Sequence, residues 1–129
     1  MRLLLDTHVV LWQFQGTRFL SRSAIHAIEQ ASELLLSVVS FAEIGVKAAI
    51  GKLVVSGNLH DFVLDSGLRV LGLSPDHGLA VGELPLHHRD PFDRLLIAQA
   101  LAEDLTVVTA DNRFSAYGVE VVGAMATPT

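Results

Sequence analysis

The sequence predicts an α/β fold: a mainly parallel central sheet flanked by helices, in α/β/α layers. Three observations carry this. Strand-length apolar runs alternate with helical patterns along the chain, as right-handed βαβ crossovers require. Half of the 129 residues are hydrophobic, which suits a sheet covered on both faces. The length suits one domain with a substantial core.

Residues 2–5 read as a short strand, and 7–14 as a helix in which Val9, Val10, Leu11 and Trp12 are too continuous for a clean apolar stripe. Gly16 ends that helix. Ser21 is placed to cap a helix to about residue 32, where Ala24, Ile25, Ala27, Ile28 and Ala31 keep a helical period. The apolar run 34–39 has strand length, after which Ser40 opens a helix that Gly51 closes. Asn58 caps a short helix over 59–66, Gly67 ends it, and 69–73 reads as a strand. Ser74-Pro75 and Asp90-Pro91 each pair a cap with a proline at the first helical position, starting helices over 75–83 and 91–103. Residues 105–109 form the next strand, 112–116 a short helix or turn, and 119–122 the last strand. The domain therefore spans 1–122, and the small, polar stretch 123–129 is expected to be a flexible tail.

Composition narrows the function classes. The absence of cysteine rules out disulfides and thiolate metal sites. The N-terminal apolar run is too short for a signal peptide and is broken by Asp6, and no run approaches membrane-spanning length. A soluble cytoplasmic protein is the expectation. The net charge of −5 and the scattering of nine Lys and Arg argue against broad electrostatic wrapping of nucleic acid. A nucleic-acid role would rest on a few local cations and bound metal.

In a parallel sheet all strand C-termini lie along one edge, where open α/β folds bind ligands. Four acids stand at such junctions between strand and helix: Asp6, Glu43, Asp93 and Asp111. Packing them together without a cation would force protonation or strong like-charge repulsion. All-oxygen ligation of this kind selects Mg²⁺ or Mn²⁺ over zinc or copper. Plain structural roles compete with this reading. Ser40-Phe41-Ala42-Glu43 is a capping-box pattern, and Asp93 holds the third helical position behind the Asp90 cap. Asp111 also fits a turn with Asn112. Asp6, emerging from a central buried strand, is hardest to explain structurally.

Other candidates are weaker singly. Lys47, four residues after Glu43, forms a surface ion pair or else neutralises a carboxylate or meets a phosphate. Arg94 and Arg113 each flank a candidate ligand and are placed to contact a substrate phosphate, although a solvated arginine is the commoner case. The hydroxyls of Thr7, Ser40 and Thr109 stand beside the acids and suit outer support of a carboxylate. The six histidines show no metal spacing, and His87-His88 read as exposed loop residues.

Four segments together resemble the PIN-domain family, and more narrowly its VapC-like ribonuclease toxins. They are Leu3-Leu4-Leu5-Asp6-Thr7-His8; Ser37 through Ile44 with Lys47 and Gly51-Lys52-Leu53; Asp90-Pro91-Phe92-Asp93-Arg94 through Ala100; and Val108-Thr109-Ala110-Asp111. Any one motif is loose, but four in order across nearly the whole chain are specific. Residue by residue, the family's catalytic metal-binding acids correspond to Asp6, Glu43, Asp93 and Asp111. Asp90 ranks as a cap or outer support. The resemblance implies a Mg²⁺- or Mn²⁺-dependent endoribonuclease toxin, commonly a homodimer, neutralised by a cognate antitoxin. The apolar helices over 21–32 and 40–50 are the expected partner surfaces. A carboxylate-held metal would activate water for in-line attack on the phosphate, leaving 5′-phosphate and 3′-hydroxyl ends. Two alternatives belong to other classes: a Mg²⁺-dependent aspartyl phosphotransfer protein, and a non-catalytic interaction module whose acids are only caps. The first is disfavoured because the second residue after Asp6 is His8 rather than an acid.

Overall fold

The computed structural model describes residues 1–125. Five strands, β1 (Arg2–Leu5), β2 (Glu33–Ser37), β3 (Arg69–Leu71), β4 (Thr106–Thr109) and β5 (Val121–Gly123), form one sheet in the order β3-β2-β1-β4-β5. Every pairing is parallel. The chain leaves β1 toward β2 on one side, while β4 joins β1 on the other. The C-terminal ends of β1 and β4 therefore flank the point where the strand order reverses, the usual ligand crevice of such sheets.

Six helices cover the sheet: α1 (Thr7–Gln15), α2 (Arg22–Gln30), α3 (Val38–Ala49), α4 (Leu59–Asp65), α5 (Pro75–Ala80) and α6 (Pro91–Glu103). Alternation along the strands divides the core into two faces. Leu3, Leu5, Leu36 and Val108 pack beneath α1, α2 and α4, with Val9, Val10, Ala24 and Val63. Leu4, Leu35 and Val107 pack beneath α6, with Leu96, Ile97 and Phe114. Helix α3 contacts both α1 and α6, so it brings its side chains to the crevice between them.

Several boundaries differ from the sequence reading. The 34–39 run is not all strand: β2 ends at Ser37, whose hydroxyl accepts the Val39 amide at 3.0 Å and caps α3 from there. Val38 and Val39 read as strand because they are β-branched and apolar, yet they form the first turn of a helix, with Val39 buried and Val38 exposed. The third strand is shorter than 69–73, and α5 tightens into a 3₁₀ turn at Val81–Glu83. The expected tail begins too early, because Gly123 closes β5, Ala124 is fully buried, and Met125 bridges to Leu20. The rest of that tail lies outside the described residues. Among the described residues no helix is long and apolar enough to cross a membrane.

Phe114, in the 3₁₀ turn Asn112–Tyr117, is fully buried and meets the His88 ring edge-on at 6.1 Å between centroids. Truncation there should be among the costliest core changes. Phe114→Ala is expected to destabilise the fold by about 3–5 kcal/mol in urea titration. A loss under 1 kcal/mol would mean that the pocket collapses around the gap.

Candidate metal centre

Each acid reaches the crevice by a different route. Asp6 directly follows β1, and its Oδ2 accepts the Thr109 hydroxyl at 2.8 Å. Although it occupies the cap position of α1, its side chain makes no capping bond. Thr109 closes β4, and its Oγ1 also accepts the Asp111 amide at 3.0 Å, so one hydroxyl fixes two acids. Glu43 lies in the second turn of α3 and is 1% exposed. Because Ser37 caps this helix, the Ser40–Glu43 capping box does not form. Ser40 instead accepts a 2.8 Å hydrogen bond from the Thr7 hydroxyl, tying α3 to α1 beside the site. Lys47, one turn on from Glu43, donates to its Oε2 and lies 4.0 Å from Asp90 Oδ2.

At α6, Asp90 caps the helix through Oδ1, accepting from the Phe92 and Asp93 amides. Asp93 does not return to the Asp90 amide, which donates instead to His88 Nδ1 at 3.1 Å. The capping reading of Asp93 therefore fails as well, and its carboxylate is left for the crevice. Ligand atoms of Glu43, Asp90 and Asp93 lie within 4.8 Å of one another, as do those of His88, Asp93 and Asp111. Asp93 belongs to both groups. Asp90 thus acts as a cap through one oxygen while its other oxygen joins the acids.

His88 corrects the sequence reading: it is 3% exposed, whereas His87 is exposed as expected. Its Nε2 lies 2.9 Å from both Asp93 Oδ2 and Asp111 Oδ2. Since Nδ1 accepts the Asp90 amide, Nε2 carries the proton; it donates to Asp111 with Asp93 equally close, and is not free as a metal ligand. Its place two residues before the Asp90 cap was the available clue. Arg94 is the second correction. Its guanidinium donates to the carbonyls of Val81, Leu84, Pro85 and His88 and to the Tyr117 hydroxyl, bracing the loop before α6 instead of meeting a phosphate. Arg113 pairs with Asp111 through Nε and Nη2, at 3.0 and 2.8 Å.

Residues 3–120 match the model of the PIN domain. The chain belongs to the PIN-domain family. It is 30% identical over 117 residues to Ribonuclease VapC22 of Mycobacterium tuberculosis (strain ATCC 25618 / H37Rv), covering 88% of this chain and 90% of that protein. The fold also resembles VapBC2 from Rickettsia felis bound to a DNA fragment from their promoter, with a TM-score of 0.68, 17% identity, and coverage of 96% and 99% of the two chains. A toxin-antitoxin complex from Klebsiella pneumoniae is similar at a TM-score of 0.62 and 19% identity, covering 92% and 94%.

In this PIN domain the carboxylates differ in proton affinity. Burial, and then the charges of Asp6, Asp90, Glu43 and Asp111, push the Asp93 carboxyl up to about 8. Burial likewise raises Asp6, with Glu43 adding repulsion against the Thr109 hydrogen bond. Asp111 moves the other way, to about 2, chiefly because the Arg113 guanidinium donates to it. Two buried oxygens, Asp6 Oδ1 and Glu43 Oε1, lack any hydrogen-bond partner among the described residues. A buried acceptor left this way costs about 1–3 kcal/mol, and more when charged. A hard divalent cation with oxygen ligands fits this set.

His88 should govern how tightly such a cation is held. His88→Leu removes the donor to Asp111 and the imidazole beside Asp93, and metal affinity is expected to fall about 10–100-fold in calorimetric titration. Unchanged affinity would mean that the two acids hold their positions unaided.

Proposed function

We propose that this protein is a Mg²⁺- or Mn²⁺-dependent endoribonuclease, a toxin restrained by a cognate antitoxin. The observation that carries this is a pair of buried oxygens without a hydrogen-bond partner among the described residues, one on Asp6, which lines a cavity with Asp93 and Asp111, and one on Glu43, which lines the adjoining cavity. The matching relative is itself a ribonuclease by name, which supports RNA as the substrate. Asp6, Glu43, Asp93 and Asp111 would hold the cation, with Asp90 beside them. When bound, a divalent cation supplies electrophilic polarisation of the phosphate and lowers the pKa of water near it.

The chain's own groups do the rest. Thr109 fixes Asp6 and Asp111, and His88 donates to Asp111 beside Asp93, so these acids are positioned before substrate arrives. Lys47 and Arg113 present positive charge to an incoming phosphodiester. Leu11, Ile44 and Leu53 line the Glu43 side of the crevice and limit water there. One of the two buried carboxylates, Glu43 or Asp93, accepts the proton of the attacking water. Water oxygen bonds to phosphorus as the bond to the 3′ oxygen breaks, leaving 5′-phosphate and 3′-hydroxyl ends.

An antitoxin partner is supported by the similarity to a toxin-antitoxin complex. Apolar side chains are also exposed on the two helices expected to meet partners: Ile25 on α2, and Val46 on α3 with Ile50 just after it. Homodimerisation and a cytoplasmic setting belong to the same reading. Expression of the wild type beside Glu43→Gln in a bacterial host tests the activity. The wild type should arrest growth and generate new RNA 5′ ends, and the variant should do neither. Equal arrest by both would reject the proposal.

A further inference from the structure

The crevice opens into two cavities that share His8 and Asp90. One, about 430 Å³, runs past Glu43 toward Lys47 and Lys52. The other, about 490 Å³, runs past Asp93 and Asp111 and reaches Trp12, with Arg89 and Arg113 also lining it. Its volume lies within the ordinary range of ligand pockets, about 300–1,000 Å³. Metal binding by the acids has no use for an indole or for Arg89.

Trp12 follows His8 by four residues on α1, so the two rings share one helix face. The indole is half-buried: part of it packs on the core beneath α1, and part lines the cavity. The guanidinium of exposed Arg18 lies over the ring, 5.3 Å from its centroid. Arg18 does not line the cavity, so this pairing leaves the indole's share of the cavity wall uncovered. Arg89 is exposed and makes no salt bridge among the described residues, whereas Lys47 and Arg113 are each also paired with an acid. The acidic chain also needs affinity that does not depend on charge. Stacking of bases on aromatic rings supplies it for single strands whatever their sequence.

We propose that Trp12 is the stacking platform for the nucleobase beside the scissile phosphate, with Arg89 contacting the phosphate of that nucleotide. This subsite rests on the ribonuclease reading. It places one nucleotide in the Trp12 cavity and lets the strand continue across His8 and Asp90 toward Lys47 and Lys52.

Trp12 is the sole tryptophan, so its fluorescence reports the subsite directly. The full-length Glu43→Gln protein, chosen to block turnover, is titrated in Mg²⁺ with a single-stranded hexaribonucleotide and with the same oligomer made abasic. Binding of each is followed separately by fluorescence anisotropy of a dye on the oligomer. Base-bearing RNA should quench the indole in step with binding, and abasic RNA should bind more weakly without quenching. In the active protein, Trp12→Ala should raise KM about 5- to 150-fold with little change in kcat. Trp12→Phe, which keeps a stacking face, should restore most of the loss, and neither change should alter the thermal shift caused by Mn²⁺. RNA that is bound and cut without quenching, or an unchanged KM in Trp12→Ala, overturns the subsite alone. Absence of both binding and cleavage overturns the subsite and the ribonuclease reading together.

Discussion

Replacing Asp6 with asparagine should make the metal-free protein more stable and leave it unable to cut RNA. Asp6 is buried, its carboxyl is pushed up by burial and by Glu43, and its Oδ1 has no hydrogen-bond partner among the described residues. Asparagine has the same shape, still accepts from Thr109, and carries no charge. Relief of this kind at a functional site is commonly worth about 0.5–2 kcal/mol, so the melting temperature should rise in EDTA. The same substitution removes one of the oxygens available to a cation, so the rise in melting temperature expected of the wild type with Mn²⁺ should be lost. Cleavage should fall about a hundredfold or more. Thermal melts of both proteins, with EDTA and with Mn²⁺, check each part. A variant less stable than the wild type in EDTA would show that Asp6 serves the fold.

The second large effect concerns pH. The Asp93 carboxyl ionises near 8 in the folded protein, against an ordinary value of 3.8. Between those values the folded state keeps a proton that the unfolded chain has lost. Stability from this group is therefore complete below about 3.8 and is lost as pH rises through about 8. Asp111 opposes it at the acidic end: lowered to about 2, it adds stability above its ordinary 3.8 that is lost as pH falls through 2. The metal-free protein should accordingly weaken on the alkaline side of mildly acidic solution. A cation must displace the Asp93 proton, so metal affinity should climb by up to about tenfold per pH unit from 6 to 8 and then level off. Calorimetric titrations with Mn²⁺ in buffers of different ionisation enthalpy would count the released proton. Affinity that is flat across this range would mean that Asp93 is already ionised or does not take part.

Much of the fold was legible because β1 and β4 are short apolar runs, each followed directly by a polar junction. Pro91 behind Asp90 likewise marked the start of α6 at the correct residue. The start of α3 was illegible because Ser37 and Ser40 are both competent caps and the residues between them, Val38 and Val39, are β-branched and suit a strand as well. Only the packing of α3 against α1 and α6 favours the earlier cap, and that choice frees Glu43 from a capping role. The meeting of the acids followed from one rule, that parallel strands end along one edge. The roles of His88 and Arg94 did not follow, because their partners come from elsewhere in the chain. Phe114 and Tyr117 pack against His88 and its neighbours from a turn beyond β4, and the acceptors of Arg94 come from a loop with no periodic pattern. Trp12 did not stand out because the run Val9 to Trp12 is too continuous to mark a face, although His8, four residues earlier, marks the same face as the crevice side.

If these acids hold a cation that directs water at an RNA phosphate, cleavage must depend on that cation. Purified protein is incubated with a defined RNA in Mg²⁺ or Mn²⁺, in EDTA, and in EDTA followed by excess metal, and the product ends are determined. Cleavage is expected only when metal is present, restored on re-addition, with 5′-phosphate and 3′-hydroxyl ends. Cleavage that persists in EDTA, or that leaves 2′,3′-cyclic phosphate ends, would rule out a cation-directed water.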